Sequence, residues 1–254
     1  MSDEPPSRSR AELYAWGQAA RSRTTTTPPP PPQGFRLSDL AVRFQIDMRS
    51  KSLLAVLYAS WLDGDGRRGV PVGVLARALG NDEAGWIEAL AQGRLGRLGW
   101  LTSSHGRTRL RGVVGRFLDE AAPRVALWGP ADDAVASLVP PTSPALWRFP
   151  DRAALVHHAR DLANRLGAPV ATIDAAALPA ARFEAVLASR VLEARLHGAL
   201  PIVVPSEASP FEPHLLDGPS LVALDAASRA PSRGLPAWPE PEAPAPLDQE
   251  PSAR

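Results

Sequence analysis

Between residues 35 and 125 the apolar positions recur at helical spacing and then, near residue 105, change to short extended runs. Leu53, Leu54, Leu57, Tyr58 and Trp61 lie three and four residues apart, which predicts a helix capped by Asp47 and ended by the DGDG at 63–66. Pro71 near a start and Gly80 just past an end frame a second helix with Val72, Leu75 and Leu79 on one face. A third runs from Asn81 as cap to Gly99 as stop, with Ile87, Leu90, Ala91, Leu95 and Leu98 on one stripe. WLTSSHGRTRL reads as a hairpin turning at His105-Gly106, and Val113, Val114, Phe117 and Leu118 predict a closing helix. Helices followed by a two-stranded wing make a winged-helix-like arrangement, assigned to residues 35–125.

From residue 145 the pattern alternates. ALWRF predicts a strand, Leu155, Ala159, Leu162 and Leu166 a helix stopped at Gly167, and PVATID a second strand. Phe183, Val186, Leu187, Val191 and Ala194 stripe a second helix ending at Gly198, followed by the strands LPIVV and LVALD. Strands separated by helices of this length need crossover connections, so residues 145–229 are expected to form a small parallel α/β sheet and the whole chain to be mixed α/β.

Proline sets the expected boundaries. Residues 1–34 read as a short helix at 11–20 and a linker containing five consecutive prolines, which join neither helix nor sheet. Residues 126–144, ending in PPTSP, read as a second linker, and 230–254, with seven prolines and little to bury, as a disordered tail.

Composition narrows the chemistry. The 254 residues allow one or two domains, and 28 basic against 27 acidic residues leave a net charge of +1, which generates no overall field for nucleic acid or membrane. The absence of cysteine excludes disulfides, zinc-thiolate sites, iron–sulfur clusters and thiol nucleophiles. No run reaches the length of a membrane span and no signal peptide is recognisable, so a cytoplasmic chain with no membrane partner is expected.

An open parallel sheet binds ligands beyond the carboxyl ends of its strands. A phosphate-binding loop there needs glycines after the first strand and a lysine for the terminal phosphates, whereas this chain has FPDRAALVHHA, and its single lysine, Lys51, lies in the other segment. Asp151 would compete with phosphate for the helix N-terminus. The third strand runs into Pro205 and Ser206, with Glu207 one place beyond, where a nucleotide hydrolase needs an acidic residue for Mg²⁺. Asp174, Glu207 and Asp225 are candidates for a cation cluster, but strand-end or capping carboxylates are the simpler reading, and no metal is assigned. His157 and Asp161 have the i,i+4 spacing of a bonded pair without an HExxH motif or a third ligand, and G-x-S-x-G is absent. No catalytic residue, metal or cofactor is therefore expected, and the protein reads as a non-enzyme.

The remaining candidate is a basic stretch. Arg94, Arg97, Arg107, Arg109, Arg111 and Arg116 occur with no acid between them, as in a wing that lies along phosphates or contacts a protein. Against DNA, the helix that would enter a groove begins Asn81-Asp82-Glu83 and carries Glu88, and residues 36–120 carry 13 basic and 9 acidic groups, a mild +4.

The order of these elements, with AELYAWGQAARSR, LSDLAVRFQIDMRSKSLLAVLYASWLD, RDLANRLGAPVATIDAAAL, FEAVLASRVLEARLHGALPIVV and GPSLVALDAASRAPSRGLPAW, resembles the non-catalytic N-terminal half of bacterial multi-domain AAA+ ATPases, including those of contractile-injection-system gene clusters. The resemblance covers most of residues 11–238. It implies a winged-helix-like module followed by a degenerate P-loop-like module, without the family's ATPase domain, and hence no catalytic residue to carry over. The implied function is that of a non-enzymatic adaptor or regulator, associating with an AAA+ ATPase, its assembly or an injection-system component. The alternative is a winged-helix DNA-binding regulator using the basic wing.

Overall fold

The computed structural model describes residues 6–22, 36–64, 68–80, 85, 87, 92–119, 121–149, 152–206, 216, 218–225 and 234–238. The chain divides into two compact units, Met1–Pro123 and Arg124–Arg254.

The first unit is built around a helix with almost no free side. It contains α1 (Pro6–Ser22), α2 (Arg36–Arg43), α3 (Met48–Leu62), β1 (Val70–Pro71), α4 (Val72–Ala78), α5 (Arg94–Arg97), β2 (Leu101–Ser104), β3 (Arg107–Leu110) and α6 (Gly112–Leu118). Asp47 caps α3 as its position predicts, accepting the Ser50 amide at 2.9 Å and the Ser50 hydroxyl at 3.0 Å. Every residue from Leu53 to Ser60 is buried, more than an amphipathic surface helix would bury, because α1, α2, α4 and α6 all pack on α3. Gly115 of α6 lies beneath the Trp61 indole, and Trp61 stacks on Tyr58 with ring centroids 6.1 Å apart.

The helix expected at 11–20 is longer and is a working part of this core. Leu13 and Ala20 are buried, and Gly17 lets α1 approach α3 so closely that a Cβ there would stand 2.5 Å from the Ala59 Cβ. Its polar face closes on Asp63, just past α3, which accepts the Tyr14 hydroxyl at 2.5 Å, Gln18 Nε2 at 2.5 Å and Arg21 Nη1 at 2.7 Å. Burial alone would raise the Asp63 pKa, but the bonds from Tyr14, Gln18 and Arg21 outweigh it and hold the carboxyl below its ordinary range. A depressed folded-state pKa contributes stability above the unfolded value of about 4 and loses it as pH falls through the folded value. The stability gap between wild type and Asp63→Asn in urea unfolding should therefore be open at neutral pH and close on acidification below about pH 4; a pH-independent gap would refute the clasp.

β1, β3 and β2 form an antiparallel sheet in that order, with Val70 opposite Thr108 and Leu101 opposite Leu110. His105 and Gly106, both at positive φ (51° and 67°), make the two-residue turn whose twist matches a hairpin. The expected Asn81 cap, Leu90 and Ala91 lie outside the described residues; Ile87 and Leu95 are buried.

The second unit contains β4 (Ala126–Trp128), β5 (Pro144–Phe149), α7 (Leu155–Leu166), β6 (Val170–Asp174), α8 (Phe183–Leu196), β7 (Leu200–Val204) and β8 (Ser220–Asp225). Its five-stranded sheet has the order β4-β6-β7-β8-β5, with β6, β7, β8 and β5 parallel. Side chains alternate between two buried faces, so these strands read as continuous apolar runs. Trp147, Phe149, Val170, Ile202, Val204, Leu221 and Ala223 pack with Ala159, Leu162 and Leu166 of α7. Leu146, Ala171, Ile173, Val203, Val222 and Leu224 pack with Leu187, Val191 and Ala194 of α8. Gly167, in the left-handed conformation, ends α7 as expected.

Three expectations are corrected here. The sheet is mixed rather than parallel, because β4 pairs antiparallel with β6, Ala126 opposite Thr172 and Trp128 opposite Val170. The stretch 126–144 is accordingly not a simple linker. Val125 and Leu127 insert on the α8 face, while the amides of Ser137 and Leu138 donate to the Arg165 carbonyl at 2.7 and 2.8 Å, satisfying an otherwise unpaired acceptor at the end of α7. Within the expected tail 230–254, residues 234–238 dock on β5: Leu146 N donates to Pro236 O and Trp238 N to Leu146 O, both at 2.8 Å. The cause is the apolar content of that short piece, since Leu235 packs against one face of the sheet and Trp238 against the other.

Candidate functional site

The carboxyl ends of the parallel strands are where a ligand would be sought, and in this unit they are joined by an ion pair. After β5 a 3₁₀ turn, Arg152–Ala154, precedes α7, which starts with Ala154 as its N-cap. Arg152 Nη2 donates to Asp174 Oδ1 at 3.1 Å, and the same oxygen accepts the Ala176 amide at 3.0 Å. Both side chains are about half exposed, at 45% and 51%, so the pair orients the strand ends more than it stabilises them. Arg152 carried no signal in sequence as a partner for Asp174, and the sheet order does not suggest the pair either, since β7 and β8 lie between β5 and β6.

Asp225 ends β8 in register with Phe149, and Asp151 and Glu207 lie outside the described residues. No group of three or more His, Asp or Glu able to hold a metal occurs among the described residues. Asp161 faces Arg165 at 3.7 Å, one helical turn on, while the His157 ring lies edge-on to His158 with centroids 5.9 Å apart. Lys51 is held in the N-terminal unit, where Nζ donates to Ser38 Oγ at 3.0 Å and burial pushes its pKa down.

The six arginines separate by register. Arg107 and Arg109 alternate with buried Thr108 and Leu110 on β3 and share its exposed face, opposite Ser104 and Thr102 of β2. Arg94 and Arg97 are exposed on α5, and the Arg111 guanidinium lies over Gly99, just past the end of that helix. Arg116 is half-buried on α6, with Nη1 folded back toward Gly112, and so belongs to the interior side of the unit. Arg107 has a structural role that its position in the sequence did not reveal. Nε donates to Arg68 O at 2.8 Å and Nη2 to Gly69 O at 2.7 Å, which fixes the loop leading into β1. Asn81, Asp82, Glu83 and Glu88 lie outside the described residues.

Comparison with protein-family models, curated proteins and solved structures finds no significant match. The reading of the two units therefore rests on their own geometry. Among the described residues, no helix is long and apolar enough to cross a membrane.

Proposed function

We propose that this chain is a non-enzymatic adaptor or regulatory module that associates with an AAA+ ATPase or with the assembly such an ATPase serves. The observation that carries the reading is the strand order. With the single bridge at Ala237 beside β5, the parallel strands follow in the order β5, β8, β7, β6, an open α/β sheet with helices on its two faces, which supports the degenerate P-loop-like reading of this unit. That order places β5 between β8 and residues 236–238.

In such a core the turn after the central strand wraps a nucleotide's phosphates with glycine amides and a lysine. Here that turn carries Arg152, paired with Asp174, and the chain's only lysine is bound to Ser38 in the other unit. A sheet without the glycines and lysine of a phosphate loop, yet with its surfaces kept, supports a role in assembly rather than in triphosphate binding. The N-terminal unit supports the same reading: its described helices and a hairpin extended by the short strand β1 are compatible with a winged helix.

Titration calorimetry with Mg-ATP is expected to give no saturable heat; micromolar binding would refute this account of the strand ends. Cross-linking in the native host followed by mass spectrometry should place an AAA+ subunit on residues of the second unit. Recovery of cross-links only to proteins unrelated to any ATPase would overturn the proposed partner.

A further inference from the structure

We infer that the outer edge of β5 is a strand-addition site for an extended segment of a partner protein, and that residues 234–238 are its occupant in cis, which the partner segment displaces. This goes beyond the adaptor reading, since it holds for a segment of the stated chemistry whatever protein carries it.

One bridge defines the seat. Leu146 N donates to Pro236 O and Leu146 O accepts Trp238 N, both at 2.8 Å, so this segment runs parallel to β5 with Ala237 opposite Leu146. Successive residues of a strand in a parallel sheet bond to opposite neighbours, so Pro144, Leu146 and Arg148 face the outer edge while Ala145, Trp147 and Phe149 serve β8. Side chains alternate as well: Leu235 packs against the cluster on the α8 face and Trp238 against that on the α7 face. This is the pattern of peptide recognition by strand addition, in which the main chain supplies affinity and alternate side chains supply specificity.

The cis segment fills this seat incompletely. Leu235 and Trp238 are half-buried, and Gly234, Pro236 and Ala237 are exposed. Pro236 stands where an N–H would reach the Pro144 carbonyl, and proline has none to give. Among the described residues, the main-chain bonds of this segment to β5 are the two at Leu146. A segment with an N–H at the Pro236 position that stays extended beside Arg148 gains the Pro144 carbonyl at one end and the Arg148 amide at the other. The occupant that outcompetes the cis segment is therefore extended, with an aliphatic residue, a non-proline residue directly after it and an aromatic residue three positions after the aliphatic one.

Fluorescence anisotropy of the full chain with a labelled peptide tests the inference, the peptide having the sequence of residues 232–240 with alanine and serine in place of Pro236 and Pro239. Saturable binding is expected. An occupied seat lowers apparent affinity by the fraction of chains in which it is free, so the Trp238→Ala chain, whose cis segment has lost one anchor, should bind the peptide roughly tenfold more tightly. Leu235→Ser should act in the same direction. A peptide with N-methylalanine at the 236 position, which has no N–H for the Pro144 carbonyl, should bind roughly 2- to 10-fold more weakly. The inference fails if both variant chains, at wild-type melting temperature, bind the peptide no better than wild type, or if a scrambled peptide binds as well. It fails equally if light scattering shows a concentration-dependent dimer that both substitutions dissolve, since the occupant would then be the same segment of a second copy.

Discussion

Gly115→Val is expected to unfold the N-terminal unit, and Gly115→Ala to destabilise it by about 1–3 kcal/mol. A Cβ at this position would stand 2.5 to 2.7 Å from Cε2, Nε1 and Cδ2 of Trp61. The indole has little room to retreat, because its other face is stacked within 15° of parallel on Tyr58, which is fully buried. Alanine normally favours a helix over glycine by about 1 kcal/mol, so a loss of stability in the alanine variant would isolate the clash from the propensity gain. Urea unfolding measures the difference. An alanine variant as stable as wild type would show that the indole can swing aside and that α6 is not locked against α3.

In the second unit the largest loss is expected from Trp147→Ala. Trp147 is 3% exposed at the centre of β5, stacks on Phe149 with centroids 5.4 Å apart, and lies on the face covered by α7. Truncating a buried tryptophan costs about 3–5 kcal/mol, from lost transfer energy and the cavity left behind. For a unit of this size that is a fall of roughly 10–20 °C in melting temperature. Calorimetry of the full chain should show one transition lowered; a shift of only a few degrees would mean that α7 collapses onto the vacated space.

Much of this architecture is legible where local chemistry and packing agree. Asp47 six residues before the first leucine of a stripe, Gly167 after another, and His105-Gly106 between two short extended runs each specify a local geometry that the fold adopts. β4 is not legible, since three residues, ALW, carry no period, and they become a strand only because β6 presents an open edge. Residues 234–238 are hidden for the opposite reason: two useful apolar side chains, Leu235 and Trp238, sit in a composition that otherwise argues against folding. At the strand ends, the sequence discloses the missing glycines and lysine, while the Arg152–Asp174 pair joins the ends of strands that are not neighbours in the sheet and is invisible to spacing. On the basic stretch, charge is legible and accessibility is not. One-dimensional order cannot say that Arg107 spends two donors on neighbouring carbonyls or that Arg116 turns inward.

The Ala237 bridge also bears on how this protein behaves in crowded solution. An open sheet has two edges, and an edge with apolar side chains is a template on which other chains can pair. One edge is given to β4, only three residues long, and the other would be the six residues of β5, Pro144–Phe149, four of them buried and apolar. By occupying the Leu146 amide and carbonyl, residues 236–238 interrupt that second edge at its middle, and the adjoining prolines, Pro236 and Pro239, have no N–H to extend the ladder outward. A few residues in a proline-rich context thus act as a guard against fibre growth, and a truncation that removes them would convert a capped sheet into an adhesive one.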